Sequence, residues 1–167
     1  SALLSPLGGL DAVGIRRLRA RLRHAELAEA GSRPASALLC EAMAQPASLL
    51  LIDTPEARVA ERLATTLSRL RAERERGADA HELLWLVWDR ARDAQGARLA
   101  TAWSRLSASR GPLAAEVDQA LDALVALFDA AKRFAERSPD EGPEPFLGRI
   151  RDSDVPEDTL SAPEGND

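Results

Sequence analysis

The 167-residue chain has no tyrosine, one cysteine and one lysine, and aromatic side chains make up only 4% of it. Cys40 has no second cysteine for an internal disulfide, and with His24 and His81 it matches no recognised zinc-ligand spacing. No apolar run approaches the ~18 residues that span a bilayer, which excludes a membrane protein. Because no basic and apolar leader opens the sequence, we expect a cytoplasmic protein without an export signal.

The residues that are abundant favour helices. The chain contains 32 alanines and 21 arginines, and alanine, leucine, arginine and glutamate lose least free energy on entering a helix. The length is sufficient for one domain with a hydrophobic core. We therefore predict an all-α fold, a single compact domain of about six to eight helices over residues 1–155. The domain begins with an irregular N-terminal entry, and residues 156–167 form an acidic flexible tail or hinge.

Charge is distributed unevenly along the chain, whose formal net charge is -5. Residues 1–23 carry five arginines and one aspartate, a charge of +4, whereas residues 139–167 carry nine acids and two arginines, a charge of -7. The overall charge therefore neither indicates nor excludes a nucleic-acid partner.

Helix start signals divide the chain. Asp11 is a candidate N-cap for a helix over about 12–29 that Gly31 ends, and Thr54 with Pro55 begins a long helix that Gly77 ends. The segment Asp79–Glu82 has the spacing of a capping box, and Pro112 begins a helix to about residue 137. Shorter helices are predicted over about 34–43, 46–52 and 146–150, with a looser stretch around residues 96–106.

The apolar spacing also predicts which side chains are buried. One predicted stripe contains Val59, Leu63, Leu67 and Leu70, and a second contains Leu113, Val117, Leu121, Leu124, Phe128 and Ala131. The run 83–88 is apolar almost all round, so its helix is expected at the centre of the core, with Trp85 and Trp88 buried and Trp103 more open. Cys40 is expected to be a buried thiol and the segment 49–52 to fill the core.

Catalytic and cofactor motifs are absent from the sequence. There is no phosphate-binding P-loop and no Gly-x-Ser-x-Gly nucleophile turn, and neither histidine has the setting of a catalyst. Most of the carboxylates are expected to be solvated or to pair with arginines four residues away. We therefore assign this chain no catalytic residue, no metal site and no cofactor of its own.

The arginines of the first helix are the one notable cluster. The apolar stripe of this helix consists of Ile15, Leu18, Leu22 and Ala25. At about 100° per residue, Arg16, Arg19 and Arg23 lie along one edge of that stripe, and Arg17 and Arg21 along the other. Permanently charged guanidinium groups suit the phosphates of a nucleic-acid backbone. The preceding Gly8-Gly9 turn would bring backbone N–H groups and a helix N-terminus to a phosphate. The alternative is that the arginines pair with surface acids or cover neighbouring helices.

The segment Leu4-Ser5-Pro6-Leu7-Gly8-Gly9-Leu10-Asp11 with the arginine-rich helix after it resembles the start of the 2B subdomain of UvrD/PcrA/Rep-like superfamily 1 DNA helicases. The resemblance continues through 82–88, 118–134, Phe146-Leu147 and 158–160. The chain is most similar to the UvrD-like and AdnAB-type helicase-nuclease proteins of high-G+C bacteria. The family's Gly-Ile-Gly turn is replaced by Gly8-Gly9-Leu10, and Gly14-Ile15-Arg16 is a second candidate.

The resemblance implies a non-catalytic accessory subdomain of an ATP-dependent DNA helicase, acting in DNA repair or recombination. It implies that ATP and magnesium bind in the motor domains of the parent enzyme. It also implies that this subdomain contacts duplex or junction DNA, weakly in isolation, or regulates unwinding, or does both. Gly8, Gly9, Arg16, Arg19 and Arg23 are the candidate DNA-backbone contacts. The motor domains, and a second helicase-nuclease subunit, are the expected protein partners.

Two other interpretations of the sequence remain open. The chain is alternatively a protein-interaction module that engages another subunit or the parent's own domains through its charged surfaces. A third reading, a free-standing helical enzyme, ranks last because no polar cluster interrupts the apolar stripes.

Overall fold

A computed structural model describes residues 9–93 and 96–153. Within them the chain forms eight helices and no β-strand, which confirms the all-α fold class and the expected helix count. The helices are α1 Ala12–Ala28, α2 Ala35–Ala44, α3 Pro46–Leu49, α4 Pro55–Glu75, α5 Ala80–Arg90, α6 Leu99–Ser107, α7 Pro112–Arg137 and α8 Glu144–Ser153. The predicted acidic tail at 156–167 and most of the predicted irregular segment lie outside the described residues.

Helix caps fix the starts of the main helices where the sequence predicts them. The Asp11 carboxylate accepts a hydrogen bond from the Gly14 N–H at 2.6 Å, and the Thr54 hydroxyl accepts one from the Ala57 N–H at 3.2 Å. Asp79 and Glu82 form the expected capping box of α5. Each bond satisfies an N–H group that has no partner inside its helix, so these boundaries depend on local chemistry alone.

The first hydrophobic core lies among α1, α2, α3 and the first half of α4. Leu18 and Leu49 are its largest fully buried side chains. On α4 the fully buried residues are Ala57, Ala60 and Ala64. The predicted stripe of Val59, Leu63, Leu67 and Leu70 is only half-buried, because α4 packs through its alanine face.

A second, smaller core joins α5, α7 and α8 through Ala80, Ala131, Phe134 and Phe146. The second half of α4 contacts α5, and the Arg74 guanidinium pairs with the Glu144 carboxylate of α8. Leu67 and Leu70 line a groove of about 410 Å³ between α4, α5 and α8. Two cores therefore lie along one chain, with α4 extending from the first towards the second.

The central position predicted for α5 is wrong. Ala80 is its only buried residue, and Trp85 is 52% exposed, because the neighbouring helices α4, α6 and α7 cover only part of its circumference. Trp88 is half-buried and packs against Trp103 of α6, with ring centroids 5.6 Å apart. Residues 96–106, which were predicted to be a looser stretch, include most of the helix α6.

Other burial predictions are also corrected. Cys40 is exposed rather than buried, because the core-facing side of α2 is taken by Leu38, Leu39 and Ala42. Leu49 fills the core, whereas Leu50 and Leu51 are 64% and 86% exposed.

Burial on α7 agrees with the predicted stripe in part. Val117 and Ala131 are buried as predicted, but Leu113 at the start of α7 is 54% exposed. In residues 9–93 and 96–153, no helix is both long enough and apolar enough to cross a membrane.

Candidate nucleic-acid interface on the first helix

The buried face of α1 determines where its arginines lie. Gly14, Ile15 and Leu18 face the first core. This leaves the exposed positions to Arg16, Arg17, Arg19 and Arg21, while Arg23 is half-buried. The two edges predicted from the helical period therefore flank the packed face of α1.

Arg16 and Arg19 are exposed and make no ion pair with any residue in the described part of the chain. The α1 sequence contains no acid between Asp11 and Glu26. This edge of α1, which we call the Arg16 edge, therefore presents unneutralised positive charge to solvent.

Arg17 and Arg23 are engaged within the protein. The Arg17 guanidinium lies 3.3 Å from a Glu56 carboxylate oxygen on α4. A guanidinium nitrogen of Arg23 donates to the backbone carbonyl of Arg33 at 2.6 Å. For Arg17 the alternative of pairing with surface acids is thus confirmed, and Arg23 fastens the end of α1 to the turn that precedes α2.

Glu26 is the one buried charged residue of the described chain, at 6% exposure. Arg33 donates to both of its carboxylate oxygens, from Nε at 3.0 Å and from Nη2 at 2.7 Å, and the Arg33 backbone N–H adds a third bond at 3.1 Å. The side-chain hydrogen bonds from Arg33, followed by the backbone bond, lower the pKa of Glu26 to about 2. Arg33 also bonds Glu41 of α2 at 2.5 Å, and the two carboxylates raise its pKa.

The N-terminus of α1 carries negative charge. The Asp11 carboxylate accepts the hydrogen bond of the Gly14 N–H, and the Glu56 carboxylate lies near Asp11. The pKa of Glu56 is lowered by a hydrogen bond from its own backbone N–H and then by Arg17. Gly9 is exposed, with a φ of +66° that favours glycine. Gly8 lies outside the described residues, so the predicted contact of this turn with phosphate stays a prediction. Gly14 lies inside α1, so the second candidate turn is wrong.

Ion pairs elsewhere differ from the expected pattern. Most of the described carboxylates are exposed, as expected. The other expected setting, an arginine four residues away, does not occur among the ion pairs of the described residues, where Lys132 and Glu136 have that spacing, at 4.0 Å. The arginine pairs instead join different helices or lie at other spacings. His81 is half-buried and accepts a hydrogen bond from the Trp85 indole N–H at 3.2 Å.

Sequence reasoning missed Arg33. Its partners Glu26 and Glu41 precede and follow it by seven and eight residues, across the turn between α1 and α2. The signal in the sequence is a single arginine between two acids, in the segment that links two predicted helices. That the three side chains meet follows only from the geometry of the turn between α1 and α2.

The described residues form helices throughout their regular structure, and α1 presents a cationic edge. No protein-family model matches the chain, and no curated protein or solved structure was found to match it.

Proposed function

We propose that this chain is a non-catalytic, 2B-like accessory subdomain of an ATP-dependent DNA helicase that contacts the phosphate backbone of duplex or junction DNA through α1. The sequence resemblance supports the helicase context. The observation that supports the contact is the Arg16 edge, where two exposed arginines have no acid partner among the described residues. In this proposal ATP and magnesium act in the motor domains of the parent.

The geometry divides the arginines of α1 by role. Arg16 and Arg19 are available to phosphate oxygens, to which a guanidinium makes paired hydrogen bonds. Arg23 contributes charge but is held by the Arg33 carbonyl, so its first role is to position the end of α1. The Asp11 and Glu56 carboxylates at the start of α1 repel phosphate, which favours contact farther along the helix.

The salt dependence of DNA binding tests this proposal. We expect the affinity for a fluorescently labelled tailed duplex to fall steeply with salt, and the Arg16→Gln/Arg19→Gln variant to flatten the log-log slope by roughly two units. The matched control is Arg62→Gln/Arg69→Gln, which removes two exposed α4 arginines and the same charge. Equal slopes for both variants, or no binding at low salt, would refute the contact.

A second candidate function, docking of a protein partner, is favoured by an exposed apolar patch on α5 and α7. Trp85 and Val125 are 52% and 59% exposed, and the Trp85 ring lies 4.8 Å from that of half-buried Phe128. Exposed acids lie three or four residues from these side chains: Glu82, Asp122 and Asp129, together with Asp89, which pairs with Arg98. An acidic rim around an apolar centre fits a basic amphipathic helix, offered by the motor domains or by a second subunit.

Tryptophan fluorescence tests the second candidate. A synthetic amphipathic Leu/Arg peptide is expected to shift the emission of the wild type and not of Trp85→Ala, and the matching Leu/Glu peptide is expected to have no effect. Equal responses of the two proteins would exclude this patch as the docking surface.

A further inference from the structure

A second concentration of positive charge lies far along the chain from α1. A pocket of about 590 Å³ opens between the last turns of α7 and the helix α8. Seven of the described residues line it: Ala130, Arg133, Phe134, Arg137, Phe146, Arg149 and Ile150. Three of these seven are arginines and none of them is an acid, in a protein whose net charge is negative.

The arginines converge from two helices. Arg133 and Arg137 are one turn apart on α7, both exposed, and neither forms an ion pair with a residue of the described chain. The Arg137 Nε donates to the Arg133 backbone carbonyl at 3.0 Å. This bond anchors the Arg137 side chain at its Nε and leaves its two terminal nitrogens available to a ligand.

The third arginine is positioned by an aromatic ring. The guanidinium carbon of Arg149 lies 5.2 Å from the centroid of the Phe134 ring, within cation–π range. Phe134 and Phe146 are buried, with ring centroids 5.7 Å apart, and they line the pocket together with the exposed Ile150. The site thus combines the Arg133 and Arg137 guanidinium groups with an apolar lining, beside which Arg149 lies.

We propose that this pocket binds a phosphate monoester. At pH 7 a phosphate monoester carries about -1.5 to -2 charges and three acceptor oxygens, whereas a phosphodiester or a carboxylate carries only one charge. The Arg133 and Arg137 guanidinium groups match the dianion in charge and in hydrogen-bond geometry. The apolar lining receives the organic part of the ligand. Two sources share this chemistry: a small free monoester and the 5′-phosphate end of a nucleic-acid strand.

Calorimetric titration with phenyl phosphate at neutral pH tests the pocket. Saturable binding is expected, weakened by about tenfold or more in Arg133→Gln/Arg137→Gln. The Arg62→Gln/Arg69→Gln control removes equal charge from α4 and should bind like the wild type. Diphenyl phosphate, a monoanion with more apolar surface, should bind more weakly than phenyl phosphate. No saturable binding up to millimolar ligand, or equal weakening in both variants, would overturn the proposal.

A second variant separates charge from geometry. Arg133→Lys keeps the charge but loses the planar fork, so we expect it to weaken phenyl phosphate binding without changing the thermal melting temperature. A lysine variant that binds as tightly as the wild type would show that nonspecific charge attraction explains the binding, and would overturn the proposed site.

Oligonucleotides distinguish the two sources. In the Arg16→Gln/Arg19→Gln background, a single strand with a 5′-phosphate is compared with the same strand ending in a 5′-hydroxyl. Tighter binding of the phosphorylated strand that disappears when Arg133 and Arg137 are also replaced supports a strand end as the ligand. Equal binding of the strands, with phenyl phosphate still bound, supports the small monoester. Because α1 is already disabled, failure of its DNA contact leaves this result unaffected.

Discussion

The guanidinium of Arg33 grips the Glu26 carboxylate through both oxygens, at 3.0 and 2.7 Å, and so joins the end of α1 to the beginning of α2. The same arginine reaches Glu41 on α2 and offers its carbonyl to Arg23 on α1. These bonds, which we call the Arg33 clamp, therefore add a polar link between α1 and α2 to the packing of Ile15 and Leu18 in the first core.

The clamp makes stability depend on pH in acid. Because Arg33 holds the pKa of Glu26 at about 2, below its ordinary value of 4.5, the carboxylate stabilises the fold above about pH 4.5. That stabilisation is lost as the pH falls from 4.5 to about 2. We expect Glu26→Gln to melt at a lower temperature than the wild type at neutral pH. The difference should shrink on acidification through this window; a pH-independent difference would contradict the assignment.

Gly31 makes room for the clamp. A Cβ at this position would lie 2.2 Å from a Glu26 carboxylate oxygen, so Gly31→Ala must displace the carboxylate from Arg33. We expect Gly31→Ala to lower the melting temperature at neutral pH by about as much as Glu26→Gln, since both break the same bonds. In the double variant the losses should be less than additive. Fully additive losses in a thermal denaturation cycle would show that Gly31 acts by another route.

Ala30 adopts a left-handed backbone conformation, with a φ of +58°, immediately after α1. A Cβ in this region is strained, so Ala30→Gly should stabilise the protein by about 1 kcal/mol in urea denaturation. Ala25→Gly, in the exposed interior of α1, is the matched control and should instead destabilise by about 1 kcal/mol. Effects of the same sign at both positions would rule out the strain at Ala30.

Leu49 and Leu50 are neighbours in sequence with opposite environments. Leu49 is fully buried in the first core, whereas Leu50 is 64% exposed. Leu49→Ala should therefore cost about 2–5 kcal/mol of unfolding free energy. Leu50→Ala should stay within about 0.5 kcal/mol of the wild type, as surface substitutions usually do. Similar losses for both variants in chemical denaturation would contradict the packing described for α3.

Local signals made the helices predictable from sequence. Asp11, Thr54 with Pro55, and Pro112 act within one turn of their own helices, so the starts of α1, α4 and α7 needed no tertiary information. The burial of individual side chains did not follow from the same patterns, because it depends on which other helices pack against each face of a helix. The run around Trp85 is apolar enough for a core helix, yet its neighbours leave that side chain more than half exposed.

The candidate sites were likewise predictable from the sequence only in part. The positions of Arg16 and Arg19 on one edge follow from the helical period. That Arg17 meets Glu56, 39 residues away, does not, because the pair forms only when α1 packs on α4. The sequence spacing of Arg133 and Arg137 places them one turn apart on a helix. That Arg149 lies over the Phe134 ring does not follow from the sequence, because it depends on the turn between α7 and α8.

The long helix α4 has a consequence for how the chain folds. Its first half completes the core with α1, α2 and α3, while its second half contacts α5 and pairs with α8 through Arg74 and Glu144. Most of the contacting helix pairs are next to each other along the chain or have a single helix between them, and such local packing lowers the contact order and favours rapid folding. The two cores can then open as separate cooperative units, with α4 as the element whose loss disturbs the first core and its link to the second.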